Sequence, residues 1–191
     1  LTEGHDSSKN DANDSRSHIF SNSIIDLGLD NFDYSNLEIQ IQKTSNDTYL
    51  KLFDLESPLI TDTSTLYSFV NIEGSSEDFD FSSSFKVYEK LGFTNNDRYE
   101  FIFPNYSLSK NIDNPYNIKG SLTFNSDGSQ HIYNTNIKES QIVNDLLYES
   151  ENMFLNNGIK NKYNILLKNV NSEGKNSTKY KEKVESELLS T

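Results

Sequence analysis

The sequence predicts an α+β fold, a mostly antiparallel β-sheet built from hairpins with one long and one short C-terminal helix packed on it. Two observations lead to this prediction. Apolar and polar residues alternate with a period of two through much of the chain between Ile19 and Ile137, as they do in half-buried strands. After Ser140 the apolar residues instead recur at about the 3.6-residue period of an amphipathic helix.

The strands are predicted as hairpins because turn-forming residues separate the alternating segments. Alternation is clearest at 37–41, where Leu and two Ile are interleaved with Glu and Gln. Clusters of Ser, Thr, Asn, Asp and Gly mark the reversals. The acidic segment 73–84 is predicted to be a mobile loop. The predicted strands are 37–41 with 49–55, 66–72, 85–91 with 98–103, 122–124 with 132–137 about a turn at Asp127-Gly128, and 163–170.

Two helices are predicted near the C-terminus. The long one begins at Ser140, a favourable N-cap, and ends before Gly158, which supplies the left-handed conformation that stops many helices. Its apolar stripe consists of Ile142, Val143, Leu146, Leu147, Met153 and Phe154. The short one spans about 177–189, with a narrower apolar stripe.

The chain divides by composition into a polar N-terminal stretch and one domain. Residues 1–17 contain only two apolar residues, Leu1 and Ala12. Such a segment buries too little apolar surface to offset the entropy of ordering it. We therefore predict that 1–17 is a disordered polar tether and that 18–191 is a single α+β domain.

Composition excludes several classes of function. The chain has 191 residues, a formal net charge of −12, and neither cysteine nor tryptophan. Without cysteine there are no disulfides, thiolate zinc sites, iron–sulfur clusters or cysteine nucleophiles. A strongly acidic chain also lacks the basic footprint of a nucleic-acid-binding protein. We expect no cofactor and no nucleic-acid partner.

No catalytic or metal-binding site is predicted, and we expect the protein not to be an enzyme. There are only three histidines, of which His131 is interpreted as a surface strand residue, and no G-x-S-x-G motif. The segment around Asp127 resembles the middle of a calcium loop. However, its first and twelfth positions carry Thr123 and Asn134 in place of acidic ligands. A hairpin turn at Asp127 is the favoured interpretation, and calcium binding is the alternative.

Two groups of residues are candidates for binding. The first is an acidic cluster that would attract a cationic partner, although a solvated acidic surface explains the same residues. The second is a set of aromatic side chains of the kind that anchor interfaces, although the core needs aromatic residues too. The acidic candidates are Glu73, Glu77, Asp78 and Asp80, and the aromatic candidates are Tyr99, Phe101 and Tyr106.

These observations predict an extracytoplasmic, non-catalytic binding domain of a surface-anchored, lipoprotein-like bacterial protein of Gram-positive type. The expected partner is a cationic peptide or protein, as in self-immunity to a cationic antimicrobial peptide. The chain begins at Leu1 instead of Met, so membrane contact is expected only through an N-terminal anchor outside this sequence. We expect a monomer.

Three alternatives remain open at this level. A structural or adhesion domain of the cell surface would use the aromatic residues instead of the charge. A carboxylate-dependent hydrolase would need two acidic side chains at a fixed separation within a cleft. A cytosolic accessory protein would fit the same composition.

Overall fold

One antiparallel sheet of ten strands makes up most of the chain in the structure, a computed structural model that describes residues 2–5, 15–53, 58–60, 62–93, 98–113, 119–133, 136–155 and 158–191. The strands of this sheet are β1 (Thr2–His5), β2 (Ser15–Asp26), β3 (Tyr34–Thr44), β4 (Thr65–Ser75), β5 (Phe79–Lys90), β6 (Tyr99–Ile112), β7 (Gly120–Tyr133), β8 (Ile137–Ser150), β11 (Asn164–Lys175) and β12 (Glu185–Ser190). A separate two-stranded hairpin joins β9 (Met153–Phe154) to β10 (Lys160–Asn161), and the helix α1 spans Tyr49–Phe53.

The strands lie in the order in which they occur in the chain. The sheet runs from β1 to β8 and continues with β11 and β12, so the β9–β10 hairpin lies in the connection between β8 and β11. The pairing of β7 with β8 is continuous from Gly120 opposite Ser150 to Tyr133 opposite Ile137. Such a meander is built from neighbouring segments of sequence, which keeps the entropy cost of forming each pair small.

The α+β prediction is wrong, because the segment predicted as the long helix holds most of β8 and then β9. Strand β8 pairs with β7 on one side and β11 on the other along almost its whole length. Its apolar residues come in adjacent pairs, Ile142 with Val143 and Leu146 with Leu147. In a helix each pair would share one side, whereas in a strand it sends one apolar side chain to each face of the sheet. The second predicted helix is also absent from 177–189, which holds irregular chain and then β12.

Two of the predicted hairpins are also wrong. The partners of β3 are β2 and β4, not 49–55, of which the described part is the short helix α1. Asp127 and Gly128 lie in the middle of β7, and the reversal comes after Tyr133 instead. The predicted loop 73–84 forms the ends of β4 and β5 around a tight turn at 76–78.

The other predicted strands are confirmed. The segment 66–72 lies within β4, and 163–170 corresponds closely to the first half of β11. The segments 85–91 and 98–103 lie largely within β5 and β6, which pair as a hairpin. The connection at 94–97 lies outside the described residues.

The N-terminal stretch predicted as a tether is described only in part. Thr2–His5 pairs with residues 15–18, so these positions differ from the expectation of no regular structure. Residues 6–14 lie outside the described residues. The disorder of 1–17 and the domain boundary at residue 18 therefore stay predictions.

Buried apolar side chains gather at one end of the sheet. Tyr49 and Leu50 of α1 pack with Leu66 of β4 and with Leu91, and each of the four is at most 5% exposed. The helix thus closes this end as a small cap. Within the described part of the chain this is the one hydrophobic cluster of buried residues, so the body of the sheet is a single layer with solvent on both faces.

A network of charges lies beside this cluster and joins three parts of the chain. Glu89 of β5, 5% exposed, accepts hydrogen bonds from Lys43 Nζ (2.7 and 2.9 Å), from Arg98 Nε (2.9 Å) and Nη2 (2.6 Å), and from the Tyr99 hydroxyl (2.9 Å). Arg98 also forms a bidentate pair with Asp47 at 2.7 and 2.9 Å. Because burial favours the neutral acid, Glu89 needs these donors, and together they hold its pKa below the ordinary value.

Candidate functional site

The two faces of the sheet differ sharply in charge. Residues directly opposite each other on paired strands point to the same face, and successive residues alternate between faces. We call the face that carries the row Glu73, Ser82, Ser107, Asp127 and Val143, on strands β4 to β8, the acidic face.

The opposite side is called the apolar face. It carries the adjacent row of Ile72, Ser83, Tyr106, Gly128 and Ile142 on the same five strands. A bulge in β6 shifts the register between Ile102 and Asn105. Even-numbered residues before the bulge and odd-numbered residues after it therefore lie on the acidic face.

Most of the carboxylates of the sheet project from one side. From β3 to β12 the acidic face carries ten carboxylates and three lysines, and the apolar face carries two carboxylates and four lysines. On the acidic face these are Glu38, Glu73, Asp80, Glu100, Asp127, Glu139, Asp145, Glu149, Glu185 and Glu187, with Lys86, Lys90 and Lys168. On the apolar face they are Glu89, Glu173, Lys43, Lys110, Lys138 and Lys175.

A shallow groove crosses the acidic face at right angles to the strands. It consists of two open depressions of about 250 and 310 Å³ that share Ser82 and Ser107. Serine side chains rise little above the backbone, so their row forms the floor. Glu73 and Asp80 line one depression, and Asp127 lines the other. We call this feature the serine groove.

The carboxylates of the serine groove keep their charge available. Among the residues that the structure describes, no lysine, arginine or histidine forms an ion pair with Glu73, Asp80 or Asp127. Glu73 accepts a hydrogen bond from the Tyr34 hydroxyl, which raises the pKa of that tyrosine, and Asp80 accepts one from Ser75 Oγ. These neutral donors orient the carboxylates without neutralising them.

The structure separates the residues that the sequence grouped as candidates. Glu73 and Asp80 lie on the acidic face at the serine groove, and Glu77 and Asp78 lie in the exposed β4–β5 turn beside it. The three aromatic candidates belong to the apolar face: Tyr99 donates to Glu89, Phe101 stacks on Phe85 with centroids 6.4 Å apart, and Tyr106 covers Gly128. The acidic and aromatic sets therefore cannot form one site.

Sequence reasoning missed Asp127, Tyr34 and the serine floor. The sequence predicts a turn at Asp127 because Gly follows it. In the structure Gly128 serves instead to make room for the ring of Tyr106 on the neighbouring strand, and Asp127 projects from the other side. A weak signal existed, since polar residues occupy alternate positions from Thr123 to Ser129.

The chemistry of the site is that of polar recognition. Hydroxyl, amide and carboxylate groups line the serine groove and suit a ligand with positive charge and hydrogen-bond donors. Within the described residues, no group of three or more His, Asp or Glu side chains could hold a metal ion. His131 lies on the acidic face, where its Nδ1 is 3.2 Å from Glu100 Oε1.

Comparison with known proteins adds no identification. No family model, curated protein or solved structure matches the chain. Among the described residues, no helix is both long enough and apolar enough to cross a membrane.

Proposed function

We propose that this chain is the non-catalytic binding domain of an extracytoplasmic, surface-anchored bacterial protein, and that its acidic face binds a cationic peptide or protein. The observation that carries the proposal is the segregation of charge, ten carboxylates against three lysines on one face of the sheet. Carboxylates spread over both faces would favour solubility alone. Concentrated on one face, they create a field that steers a cationic partner to it.

The serine groove supports an extended ligand. It crosses five strands from β4 to β8, about 19 Å at the usual strand spacing, which is the length of roughly six extended residues. Along it, the unpaired carboxylates of Glu73, Asp80 and Asp127 would meet lysine or arginine side chains. The serine hydroxyls would accept hydrogen bonds from the N–H groups of the ligand backbone or donate them to its carbonyl groups.

The location is proposed from composition. The absence of cysteine and the polar stretch 1–17 support a tethered domain outside the cytoplasm. Protease added to intact cells, followed by detection of the native protein, tests this point. Degradation is expected, and full protection would contradict a surface location.

Titration of the ¹⁵N-labelled protein with an oligolysine peptide tests the binding proposal. We expect chemical-shift changes to concentrate on acidic-face residues between β4 and β8. Binding is expected to weaken several-fold between about 0.01 and 0.1 M salt, because the Debye screening length falls from roughly 30 to 10 Å over that range. An oligoglutamate peptide, which should not bind, controls for nonspecific association.

Charge-removing variants locate the site. The triple variant Glu73→Gln, Asp80→Asn, Asp127→Asn should weaken oligolysine binding about tenfold or more, as expected when close interfacial charges are lost. Glu173→Gln, which removes one exposed carboxylate from the apolar face, is the control for each single substitution of this set and should bind nearly as the wild type does. Equal losses of affinity in both variants, or the absence of chemical-shift changes at low salt, would contradict the proposal.

A further inference from the structure

The apolar face exposes far more hydrophobic surface than a sheet face in contact with water normally does. Of the exposed large apolar side chains that the structure describes on the ten strands, eleven lie on the apolar face, and only Ile24, Tyr34 and Leu189 lie on the acidic face. The eleven are Ile19, Ile25, Ile41, Val70, Phe85, Phe103, Ile132, Ile142, Ile165, Leu167 and Leu188.

These side chains form a patch that is densest, and continuous, on β3 to β6. Phe85 stacks on Phe101 and meets Phe103 edge to face at 5.7 Å. Val70 lies directly opposite Phe85, and Ile39 lies opposite Val70. Around them the surface forms an apolar depression of about 150 Å³. Contiguous exposed apolar surface of this kind marks an interaction site on a soluble protein.

The area of the molecule indicates that a layer is missing. The chain has an accessible surface of 13118 Å², whereas a globular monomer of its mass is expected to have about 9,300 Å². Stable domains bury the hydrophobic side of a sheet against a second layer. Within the described residues, only α1 and its neighbours form such a layer, and they cover one end of the sheet.

We infer that the apolar face is the interface of a homodimer, in which two copies of the sheet pack face to face. The distribution of charge is compatible with a second copy as the occupant. Although each chain carries −12, the strand carboxylates project mainly from the acidic face, which points away from such an interface. On the apolar face, Glu89 is paired with Lys43 and Arg98. The remaining lysines of this face lie within three residues of a strand end, at the rim of such an interface: Lys110, Lys138 and Lys175. A two-fold axis makes the patch its own partner.

The available area is sufficient for a stable dimer. Strands β3 to β8 and β11 have 11 to 14 residues. At roughly 3.3 Å per residue and 4.8 Å between strands, the ten-strand face measures about 1,700 Å². A standard interface buries about 800 Å² on each partner, so half of the face suffices. The two sheets would pack about 10 Å apart, as in a β-sandwich.

The dimer would also change how the acidic face works. It presents two acidic faces on opposite outer surfaces, so one assembly could bind two cationic ligands or two sites of a large partner with increased avidity. The inference departs from the monomer expected from composition. It does not rest on the proposed function, because the interface and the serine groove lie on opposite faces.

Analytical ultracentrifugation of the full chain over a dilution series tests the inference. The wild type should sediment at twice 21.9 kDa. Val70→Lys and Ile142→Lys, 42% and 41% exposed on the apolar face, should sediment as monomers. Ile24→Lys, 65% exposed on the acidic face, is the matched control and should remain a dimer. Far-UV circular dichroism checks that each variant is folded.

If the two apolar-face variants fail to fold, the thermal unfolding midpoint of the wild type tests the dimer instead. That midpoint should rise with protein concentration for a dimer and stay constant for a monomer. A wild type that is monomeric throughout the dilution series overturns the inference. So do folded lysine variants that remain dimeric, and so does a monomer that binds phosphatidylcholine vesicles through this face, because a lipid surface would then be the occupant.

Discussion

At the scale of single residues, Glu89 is the group on which the packed end of the sheet most depends. Its carboxylate is almost fully buried and joins Lys43 of β3 to Arg98 and Tyr99 at the start of β6. Arg98 extends the network to Asp47, next to α1. Without the Glu89 carboxylate, Lys43 would lose its ion pair and Arg98 would keep only Asp47 as its partner, which costs more than the pair itself contributes.

Replacing this carboxylate by the isosteric amide should therefore destabilise the protein. Glu89→Gln is expected to lower the free energy of unfolding by about 2–4 kcal/mol, measured by urea denaturation at neutral pH. Glu173→Gln, an exposed carboxylate on the apolar face, should change it by less than about 0.5 kcal/mol. Equal stabilities of the two variants would contradict this role for Glu89.

The same network predicts the direction of the pH dependence. Hydrogen bonds hold the pKa of both Glu89 and Asp47 below the ordinary values. A lowered carboxyl pKa contributes stability above the unfolded-state value of about 4, and this contribution is lost as pH falls through the folded-state value. The difference in stability between wild type and Glu89→Gln should accordingly shrink below about pH 4.

At the scale of elements, glycine opposite an aromatic ring sets the strand pairing. Tyr106 on β6 lies over Gly128 on β7, and a methyl group at Gly128 would collide with the tyrosine ring. Phe81 covers Gly74 in the same way across β4 and β5. An aromatic side chain covering a cross-strand glycine protects backbone that would otherwise be open and helps to define the register.

Gly128→Ala should therefore be destabilising, although alanine restricts the unfolded chain more than glycine does. We expect a loss of about 1–3 kcal/mol, as for other over-packed sites. In the Tyr106→Ala background the same substitution should cost much less, because the ring is gone. Urea denaturation of all four chains measures this coupling, and a coupling energy near zero would contradict the pairing role of Tyr106.

The mistaken helix in the sequence prediction has a specific physical cause at this scale. The pairs Ile142–Val143 and Leu146–Leu147 satisfy a helical period, and they also suit a strand that packs or faces solvent on both sides. Periodicity distinguishes a helix from a strand only when one face of the sheet is polar along the strand. Strands with clean alternation, such as the segment 37–41, were predicted correctly.

At the scale of the whole molecule, one buried cluster supports a sheet of ten strands. Stability should therefore fall with distance from α1 and from the centre of the sheet. Each central strand is held by two neighbours, whereas β12 at one edge pairs only with β11 and exposes Leu188 and Leu189. Regions with few buried contacts open at low free-energy cost.

Amide hydrogen exchange followed by mass spectrometry checks this gradient. Amides of β12 that bond to β11 should exchange at least about tenfold faster than those bonded between β6 and β7. Uniform protection across the sheet would contradict it and would indicate that the edges are held as firmly as the centre.

The candidate site could be predicted only in part. The acidic residues Glu73 and Asp80 were found because they cluster in sequence, but Asp127 lies far away and meets them only through strand register. Tyr99, Phe101 and Tyr106 are candidates in the sequence because aromatic side chains anchor interfaces, but the sequence does not reveal which face each takes once a bulge shifts the register of β6.

The sequence alone determines the charge, the lack of thiol chemistry and most of the strands, because these depend on composition and on the local period of apolar residues. Only the tertiary structure decided that the strands form a single layer, that carboxylates gather on one face and hydrophobic side chains on the other, and that β8 is not a helix. Those outcomes depend on pairing between strands, and pairing assigns each side chain to a face through contacts that no local pattern contains.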